Sequence, residues 1–565
     1  MRTALALALG VVLPAPVVCG QGLAKQVVAV TGQDVGGGWR LSGHTLWNIA
    51  SAQPGRVVFA ANVSSASLSR AAVLEWNQGQ LTPWHLPGMS VDGLEPGVDV
   101  LSYFYHFDYG PTERAGHLYA RCSLIGPGVT SSNDGVFLGC SASSIRVLAR
   151  EGQPLPGLPN STWMPWAEDW KAQFDGGCLL RAGNFSNAIV QFNADGADMA
   201  VAVPGDPAPG LPGQQLEYIG FGVHSLSDAG RVFYSRTNGG THAVFADAPD
   251  GSRSLLFPGP AVPNMSWPNI ELGIVDAIAG PAVLLESTPS SSPNVTGRIY
   301  LLVSSGQASV AAQSGGPATG LPGMITGGLE ARLSRDGDVI AFGSFRPPST
   351  STIIGQGVWR THEGVTELVL ATGMQVPDAA PGYMTAGMST LTDPIAQSDG
   401  RVVMLWGVTA PGSATPQSWL LARLRDGAII TVARVGEQVT LAPGDVRTIT
   451  GFNAHIRHNS DNGAPGQFAD DGGLAFVVSL SGVGSQGALL YARLPDTRLC
   501  DSADFNRDGI TPDVQDIHDY LAVFGGAPCP SAACGDIDFN NDAIFPDIDD
   551  IAALVRVFSG GPCVE

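Results

Sequence analysis

The carboxyl-terminal part of the chain contains two matching runs of acidic and amide side chains. The first run places Asp504, Asn506 and Asp508 at alternate positions, and every matching feature returns 34 residues later. A fixed offset across many residue types indicates a duplication. Three oxygen-bearing side chains at alternate positions of a tight loop suit Ca²⁺, which takes about six to eight oxygens at about 2.3–2.6 Å.

The spacing predicts one calcium site in each unit, closed by a carboxylate on the following helix. Asp513 and Asp547 are open as direct or water-mediated ligands. Ala543 replaces the turn glycine of the first unit, and the strain of a non-glycine residue there predicts weaker binding at the second site. The predicted ligands are Asp504, Asn506, Asp508, the Ile510 carbonyl and Asp516 in the first unit, and Asp538, Asn540, Asp542, the Ile544 carbonyl and Asp550 in the second.

A helix is predicted after each loop. Thr511 can cap the first one and Pro512 suits its first position, and Gly525-Gly526 ends it. Apolar residues recur along both helices at helical spacing. They are Val514, Ile517, Leu521 and Phe524 in the first helix, and Ile548, Ile551, Val555 and Phe558 in the second.

The tail resembles a dockerin, the paired loop–helix calcium module related to half an EF-hand, in its cysteine-flanked form with DFNxDG and PDxxDI motifs. The resemblance covers about 65 residues (500–565). It implies a small all-α module that docks to a cohesin-like or cell-surface protein partner. One departure is the closing carboxylate, which stands at the thirteenth loop position instead of the twelfth. The alternative is an acidic pair of turns held only by disulfides and the helix stripe.

Charge and composition separate the tail from the rest of the chain. The 565 residues carry a net charge of −21, with 73 glycines and 41 prolines. Residues 500–565 hold thirteen acidic residues and two arginines, which accounts for about half of that charge. The chain offers no basic groove, which argues against nucleic acid as a partner.

The amino terminus predicts secretion. Residues 1–20 read as a signal peptide, with Arg2 before an apolar core and small residues before Gln21. No later apolar run approaches membrane-spanning length. Four cysteines bracket the tail units, and Cys500–Cys529 with Cys534–Cys563 is the favoured of three connectivities, as expected in an oxidising extracellular or cell-envelope compartment. Of the three other cysteines that follow the signal peptide, Cys122 and Cys140 could form a cross-strand pair, with Cys178 free.

Residues 21–496 form a second, looser repeat, and 497–565 form the dockerin-like domain. A short β-rich run followed by glycine, and often by Pro-Gly, recurs every 53–64 residues. This period of several short strands predicts a mainly β fold, a β-propeller of eight blades with seven as the alternative. The first strand lacks a closing partner before it and the last lacks one after it, so we expect them to pair and close the ring. The marker glycines are Gly32, Gly88, Gly152, Gly205, Gly259, Gly315, Gly373 and Gly436.

The repeats also resemble an uncharacterised propeller-like repeat family of secreted bacterial proteins, with phrases of the VAREGDxAPG type. That resemblance implies no assigned catalytic residues. Asp336-Gly337 and Asp399-Gly400 are interpreted as hairpin turns in preference to sialidase-type Asp boxes. His455 and His458 are close enough in sequence to share a metal ion, but a solvated loop is the favoured interpretation. The segment Trp163–Trp170 is the best sugar-site candidate, although packing is favoured, and Tyr103–Phe107 is interpreted as a core strand.

Two functions remain open from the sequence. The favoured one is a secreted, non-catalytic, calcium-binding protein, in which a β-propeller binding or scaffold domain is carried on a dockerin-like docking module. The apolar face of its paired helices would be the docking surface. The alternative is a carbohydrate-active enzyme, a glycoside hydrolase or polysaccharide lyase acting on a polysaccharide, with a dockerin appendage. Paired carboxylates at one mouth of the propeller would distinguish the enzyme.

Overall fold

The chain folds as a mainly β protein with two short helices among the residues described. It was examined as a computed structural model. The model describes residues 23–559 apart from several short gaps and a set of longer ones. The longer gaps are 43–47, 104–111, 164–168, 173–177, 183–187, 193–197, 258–264, 267–275, 290–298, 389–393, 453–467, 496–504, 507–513, 530–536 and 540–547.

The first half of the chain forms four antiparallel sheets from consecutive strands, preceded by β1 (Lys25–Val30). A two-stranded hairpin, β13 and β14, lies between the second and third sheets. The first sheet is β2 (Asp34–Gly36), β3 (Trp39–Ser42), β4 (Asn48–Gln53), β5 (Arg56–Ser65), β6 (Leu68–Asn77) and β7 (Gln80–His85). The second is β8 (Asp99–Tyr103), β9 (Thr112–Arg114), β10 (His117–Ile125), β11 (Gly135–Ser141) and β12 (Ile145–Arg150). The hairpin is β13 (Pro154–Leu155) and β14 (Leu158–Thr162); the third sheet is β15 (Asp169–Ala172), β16 (Cys178–Ala182), β17 (Ala188–Phe192) and β18 (Met199–Ala202); the fourth is β19 (Leu216–Ser227), β20 (Gly230–Thr237), β21 (His242–Asp247) and β22 (Arg253–Phe257).

The second half repeats this organisation in four further sheets and ends in two helices. The fifth sheet is β23 (Met265–Ser266), β24 (Asp276–Ala277), β25 (Gly280–Pro289), β26 (Ile299–Ser304) and β27 (Gln307–Gln313); the sixth is β28 (Ile325–Leu333), β29 (Val339–Arg346), β30 (Gly355–His362) and β31 (Val365–Ala371). The seventh is β32 (Met384–Met388), β33 (Ile395–Ala396), β34 (Val402–Thr409), β35 (Gln417–Arg423) and β36 (Ile429–Arg434); the eighth is β37 (Gln438–Ala442), β38 (Asp445–Phe452), β39 (Gly473–Leu480) and β40 (Gln486–Arg493). The helices are α1 (Val514–Phe524) and α2 (Ile548–Phe558).

The first strand of the chain completes the last sheet. β1 pairs antiparallel with β40, with Lys25 opposite Ala492 and Val30 opposite Ala488. The strand order of this sheet is therefore β1-β40-β39-β38-β37. The predicted pairing of first and last strands is confirmed, and it joins the two ends of the repeat region by backbone hydrogen bonds.

Sheets of this fold bury one face against the preceding sheet and the other against the next, as the first sheet shows. Along β5, Val57 and Phe59 pack with the eighth sheet, whereas Val58 and Ala60 pack with the second sheet. Side chains alternate across a strand, so a strand buried on both faces reads as a continuous apolar run. This explains the Val-Val-Phe-Ala-Ala stretch of β5.

The same apolar contact between consecutive sheets recurs along the chain. Shared clusters join the second sheet to the third, the third to the fourth, the fifth to the sixth, the sixth to the seventh and the seventh to the eighth. Together with the closing strand, this succession of antiparallel sheets is a β-propeller.

The marker glycines lie in one recurring turn. Seven of the eight have described backbones, and all seven have positive φ, between +79° and +97°. In several copies the side chain after the glycine accepts a hydrogen bond from the backbone N–H three residues earlier. Val203 N–H donates to Asp206 Oδ2 over 3.0 Å, for example, and Val30 N–H donates to Gln33 Oε1 over 3.1 Å. The copy at Gly88, which is weak in sequence, adopts the same turn.

A second glycine, five residues after the marker, lies against the last strand of the following sheet. At four such positions φ is positive, and an added Cβ would come within 3.2 Å of that strand. This second glycine therefore marks a close contact between the connecting loop and the following sheet, for which only glycine has the required backbone angles and size. The four contacts are Gly93 with Val147, Gly157 with Ala200, Gly210 with Leu255 and Gly320 with Leu368.

The predicted Cys122–Cys140 disulfide is wrong. Both residues are buried free thiols on the paired strands β10 and β11. Cys122 lies opposite Val136, whereas Cys140 lies opposite Leu118, four residues further along the ladder. Four residues of strand span about 13 Å, well beyond the distance a disulfide bridges.

We expect Cys122 and Cys140 to resist alkylation in the native protein. Burial raises the pKa of the Cys140 thiol to about 12 and raises the pKa of Cys122 well above its ordinary value. Only on the order of 1 in 10,000 Cys140 side chains is then a thiolate at about pH 8, and the thiolate is the nucleophile. Iodoacetamide labelling at that pH, followed by peptide mapping, should modify both residues only after denaturation. Labelling of either thiol in the folded chain would contradict their placement.

Candidate calcium and docking site

The two C-terminal helices have equivalent positions in the two repeats. α1 begins at Val514 and α2 at Ile548, and each contains 11 residues. The helices therefore follow the 34-residue offset of the sequence at both ends. This confirms the predicted helix after each loop.

The two repeats share one apolar core. Tyr520 of α1 packs edge-on against Phe505 and Phe539, with ring centroids 5.1 and 5.9 Å apart. The Tyr520 hydroxyl donates a hydrogen bond to the Ile537 carbonyl over 3.0 Å, which ties α1 to the second loop. Ala553 and Leu554 of α2 complete the cluster. Phe505 and Phe539 follow the first aspartate of each loop, a repetition in the sequence that could have identified them as core residues.

Each helix buries a carboxylate in its first turn. Asp516 and Asp550, the residues predicted to close the two calcium sites, are both 0% exposed. The backbone N–H of Asn506 lies 3.4 Å from Asp516 Oδ1, which brings the first loop and its helix together. Burying a carboxylate away from water is costly without compensating donors or cations.

Asp519, which the sequence reasoning did not select, lies beside this site. The Asn506 amide donates to its Oδ2 over 3.2 Å, and the Gln515 amide donates to its Oδ1 over 2.6 Å. Burial acts to raise the pKa of the Asp519 carboxyl, but hydrogen bonds from Asn506, His518 and Gln515 outweigh it and hold the pKa below its ordinary value. The ionised Asp519 carboxylate therefore holds the Asn506 side chain in place.

Of the ten predicted ligands, the structure describes Asn506, Asp516 and Asp550. Asn506 and Asp516 lie together, and Asp550 takes the equivalent buried place on α2. Within the described part of the chain, no group of three or more His, Cys, Asp or Glu residues could hold a metal ion. The remaining predicted ligands lie outside the described residues: Asp504, Asp508, Ile510, Asp538, Asn540, Asp542 and Ile544. So do Asp513, Ala543 and Asp547.

The outer faces of both helices expose apolar side chains at equivalent positions. Val514 and Ile548 are 78% and 73% exposed, and Leu521 and Val555 are 46% and 50% exposed. The predicted apolar stripe is therefore largely an outward surface, while Tyr520 and Leu554 form the buried side. We call Val514, Leu521, Ile548 and Val555 the exposed apolar surface.

A family model matches residues 20–491, which is most of the chain. The chain belongs to DUF7453, a family of unknown function. The DUF7453 match covers the propeller strands and ends before both C-terminal helices. A comparison with curated proteins gives no significant match.

Solved structures, a β-propeller domain among them, are similar to this DUF7453 chain at low identity. The β-propeller domain of the Trilobed protease from Pyrococcus furiosus is 8% identical with a TM-score of 0.29, covering 69% of this chain and 98% of that one. The BP39L lectin from Burkholderia pseudomallei is 9% identical with a TM-score of 0.33, covering 69% and 97%. A puromycin-hydrolyzing peptidase from Mycobacterium tuberculosis is 12% identical with a TM-score of 0.35; the match covers 74% of this chain but only 61% of the peptidase.

The sequence motifs on the DUF7453 propeller are accounted for by packing where the structure describes them. Trp163 is 0% exposed and packs with Phe137 and Phe192, so the packing interpretation is confirmed for Trp163, whereas the side chains of Trp166 and Trp170 are outside the described ones. Strands β28 and β29, which flank Asp336-Gly337 in the sequence, pair antiparallel with Leu333 opposite Val339. Residues 104–107, 164–168, 336–337 and 399, as well as His455 and His458, lie outside the described residues.

A partly buried cluster of charged residues joins the sixth and seventh sheets of the DUF7453 propeller. Asp338, 1% exposed, accepts hydrogen bonds from Arg360 Nε over 2.5 Å and pairs with His362 Nδ1 over 2.5 Å. Glu367 bridges Arg360 at 3.3 Å and Arg423 at 2.7 Å. Burial lowers the pKa of the Arg423 guanidinium, and the nearby Arg360 adds to the effect. These ion pairs connect the two sheets. The sequence analysis did not identify them because their members are up to 85 residues apart.

Proposed function

We propose that this is a secreted, non-catalytic protein in which the β-propeller is a binding or scaffold domain and the C-terminal module, ordered by calcium, docks to a protein partner. The observation that carries the proposal is the symmetry of the module. Each helix buries one carboxylate at its first turn and exposes two apolar side chains at matching positions. A buried metal ligand and an exposed contact surface on one short helix are what a calcium-ordered docking module requires.

The donor set supports calcium as the ion. Asp516, Asp550 and Asn506 offer hard oxygens at buried positions, and the loops that precede both helices are rich in further aspartates. The proposed ligands are the ten residues predicted from the sequence. With Ca²⁺ bound, the charge of each loop would be neutralised, which offsets the repulsion between its carboxylates.

The exposed apolar surface supports docking. Single exposed apolar residues are ordinary on proteins, but here four lie on two equivalent helices of a module whose net charge is −11. Helices of 11 residues with a separate buried core do not need these side chains for folding. A partner that covers this apolar surface would remove it from water.

Secretion and disulfide pairing of the tail are part of the proposal. Cys529 is disulfide-bonded, and its partner is not among the residues whose side chains are described. This supports a disulfide at Cys529, for which we propose Cys500 as the partner, with Cys534–Cys563 as the equivalent pair. Among the described residues, no helix has the length and apolar character needed to cross a membrane.

We also propose that the propeller has eight blades. Eight sheets of four or more strands follow one another among the described residues, and shared apolar clusters join most consecutive pairs. The β1–β40 pairing makes the eighth sheet a composite of both chain ends. Ring closure by such a composite sheet hides the edges that would otherwise be open.

The docking proposal is tested by capture from the secreted fraction of the source organism. The full-length chain should retain a partner in millimolar calcium and release it in chelator. Leu521→Glu/Val555→Glu should lose at least about tenfold in retention, because charges would enter the apolar contact. Its calcium binding should be unchanged, since neither residue is a proposed ligand. Equal retention of the partner by the variant, or retention that ignores calcium, would contradict the proposal.

A further inference from the structure

Two methionines occupy a position in the recurring propeller turn where other copies have an oxygen acceptor. Leu86 N–H donates to Met89 Sδ over 3.1 Å, and Ala371 N–H donates to Met374 Sδ over 3.2 Å. The equivalent acceptors elsewhere are Gln33 Oε1, Asp206 Oδ2 and Glu437 Oε2, at 3.0 to 3.2 Å. A thioether sulfur is a weak acceptor where an oxygen is a good one.

Both methionines are open to solvent. Met89 is 44% exposed and Met374 is 36% exposed. Each follows a marker glycine, with φ of +86° at Gly88 and +87° at Gly373, so the turn is set by the glycine and not by packing of the methionine. Exposed methionine is the form of the residue that oxidants reach first.

We propose that Met89 and Met374 are sites of oxidation by peroxide, at which the sulfoxide oxygen replaces sulfur as the acceptor of the turn. The sulfur lone pair attacks one peroxide oxygen, the O–O bond breaks, the sulfide is oxidised by two electrons to the sulfoxide, and the peroxide is reduced to water. Oxidation commonly damages proteins because a polar group enters an apolar contact. Here the sulfoxide oxygen would lie beside the backbone N–H of Leu86 or Ala371, which already donates to the sulfur, so the turn can accommodate the new polar group.

The flexible methionine side chain makes the exchange of acceptors feasible. Three rotatable bonds allow the sulfur to move back while the new oxygen takes the place beside the N–H. The carboxamide of Gln33 and the carboxylates of Asp206 and Glu437 show that this turn accepts an oxygen in this position. The inference does not depend on the proposed docking function.

The test combines peroxide treatment of the full-length chain with peptide mapping and amide hydrogen exchange. Met89 and Met374 should be oxidised together with the comparably exposed Met199 and Met384, well before Met404, which is 1% exposed. After oxidation, the amides of Leu86 and Ala371 should exchange no faster than before. Met89→Gln/Met374→Gln, which supplies an amide oxygen, should behave like the oxidised chain.

Met89→Leu/Met374→Leu is the matched control without an acceptor. Its Leu86 and Ala371 amides should exchange about two- to tenfold faster, the loss expected for one weak hydrogen bond. The proposal is overturned if the oxidised chain exchanges these amides as fast as the leucine variant. It is also overturned if the leucine variant keeps full protection, or if peroxide spares Met89 and Met374 while oxidising Met199 and Met384.

Discussion

Removing calcium from the full-length chain is expected to abolish the hydrogen-exchange protection of α1 and α2. Eleven-residue helices are too short to be stable alone. Without the ion, the buried Asp516 and Asp550 would add negative charge to loops already rich in carboxylates. Calcium at about a thousand times its dissociation constant would contribute about 4 kcal/mol to the free energy of unfolding of the module. Exchange measured in chelator and in millimolar calcium checks the expectation.

The propeller provides the internal control for this experiment. Amides of β34 and β35 in the seventh sheet should exchange equally in chelator and in calcium, because no proposed ligand lies there. Asp516→Asn should weaken calcium binding at the first site while leaving the second, closed by Asp550, in place. Helices that stay equally protected in chelator would refute the role of calcium in folding the tail.

Gly320→Ala is expected to lower the free energy of unfolding of the propeller by about 2–4 kcal/mol. Gly320 has a φ of +77°, and an added Cβ would lie 2.7 Å from the Cβ of Leu368 on the last strand of the following sheet. The positive φ alone costs an alanine about 1 kcal/mol. Relieving the overlap by moving the two sheets apart adds about 1–3 kcal/mol. Denaturant unfolding followed by tryptophan fluorescence measures the loss.

Gly323→Ala is the matched control, three residues further along the same loop. Its φ is +74°, yet no atom lies within 4 Å of the position of an added Cβ. The control should lose only about 1 kcal/mol, the backbone term. If the two variants lose the same stability, the close contact of Gly320 with Leu368 contributes nothing, and Gly320 has only a turn-forming role.

Much of the architecture could be predicted from local pattern. The recurrence of glycine after short β-rich runs predicted successive sheets, and the unpaired strands at each end of the repeat region predicted the β1–β40 pairing, which is confirmed. The 34-residue offset predicted both helices, because a helix of this kind depends on its own caps and periodicity.

Prediction failed where the outcome depends on register or on distant partners. Cys122 and Cys140 lie on paired strands as expected, but the β10–β11 register separates them by four residues. A shift in register changes every cross-strand neighbour, and no local pattern reports it. The buried side of α1 was also not predicted. The helical spacing of apolar residues indicated a stripe on α1, whereas Tyr520 forms the buried side of this helix.

The amino-acid sequence by itself determined the class of fold, the repeat length, the positions of the helices and the oxygen-rich character of the tail loops. These follow from short-range rules, since backbone conformation and side-chain periodicity depend on neighbours within a few residues. Only the tertiary structure decided which faces are covered, which glycine touches the next sheet and which charges meet, as Asp338 meets Arg360 and Glu367 meets Arg423. Those contacts join residues far apart in the chain, and their energies depend on burial that exists only once the sheets have packed.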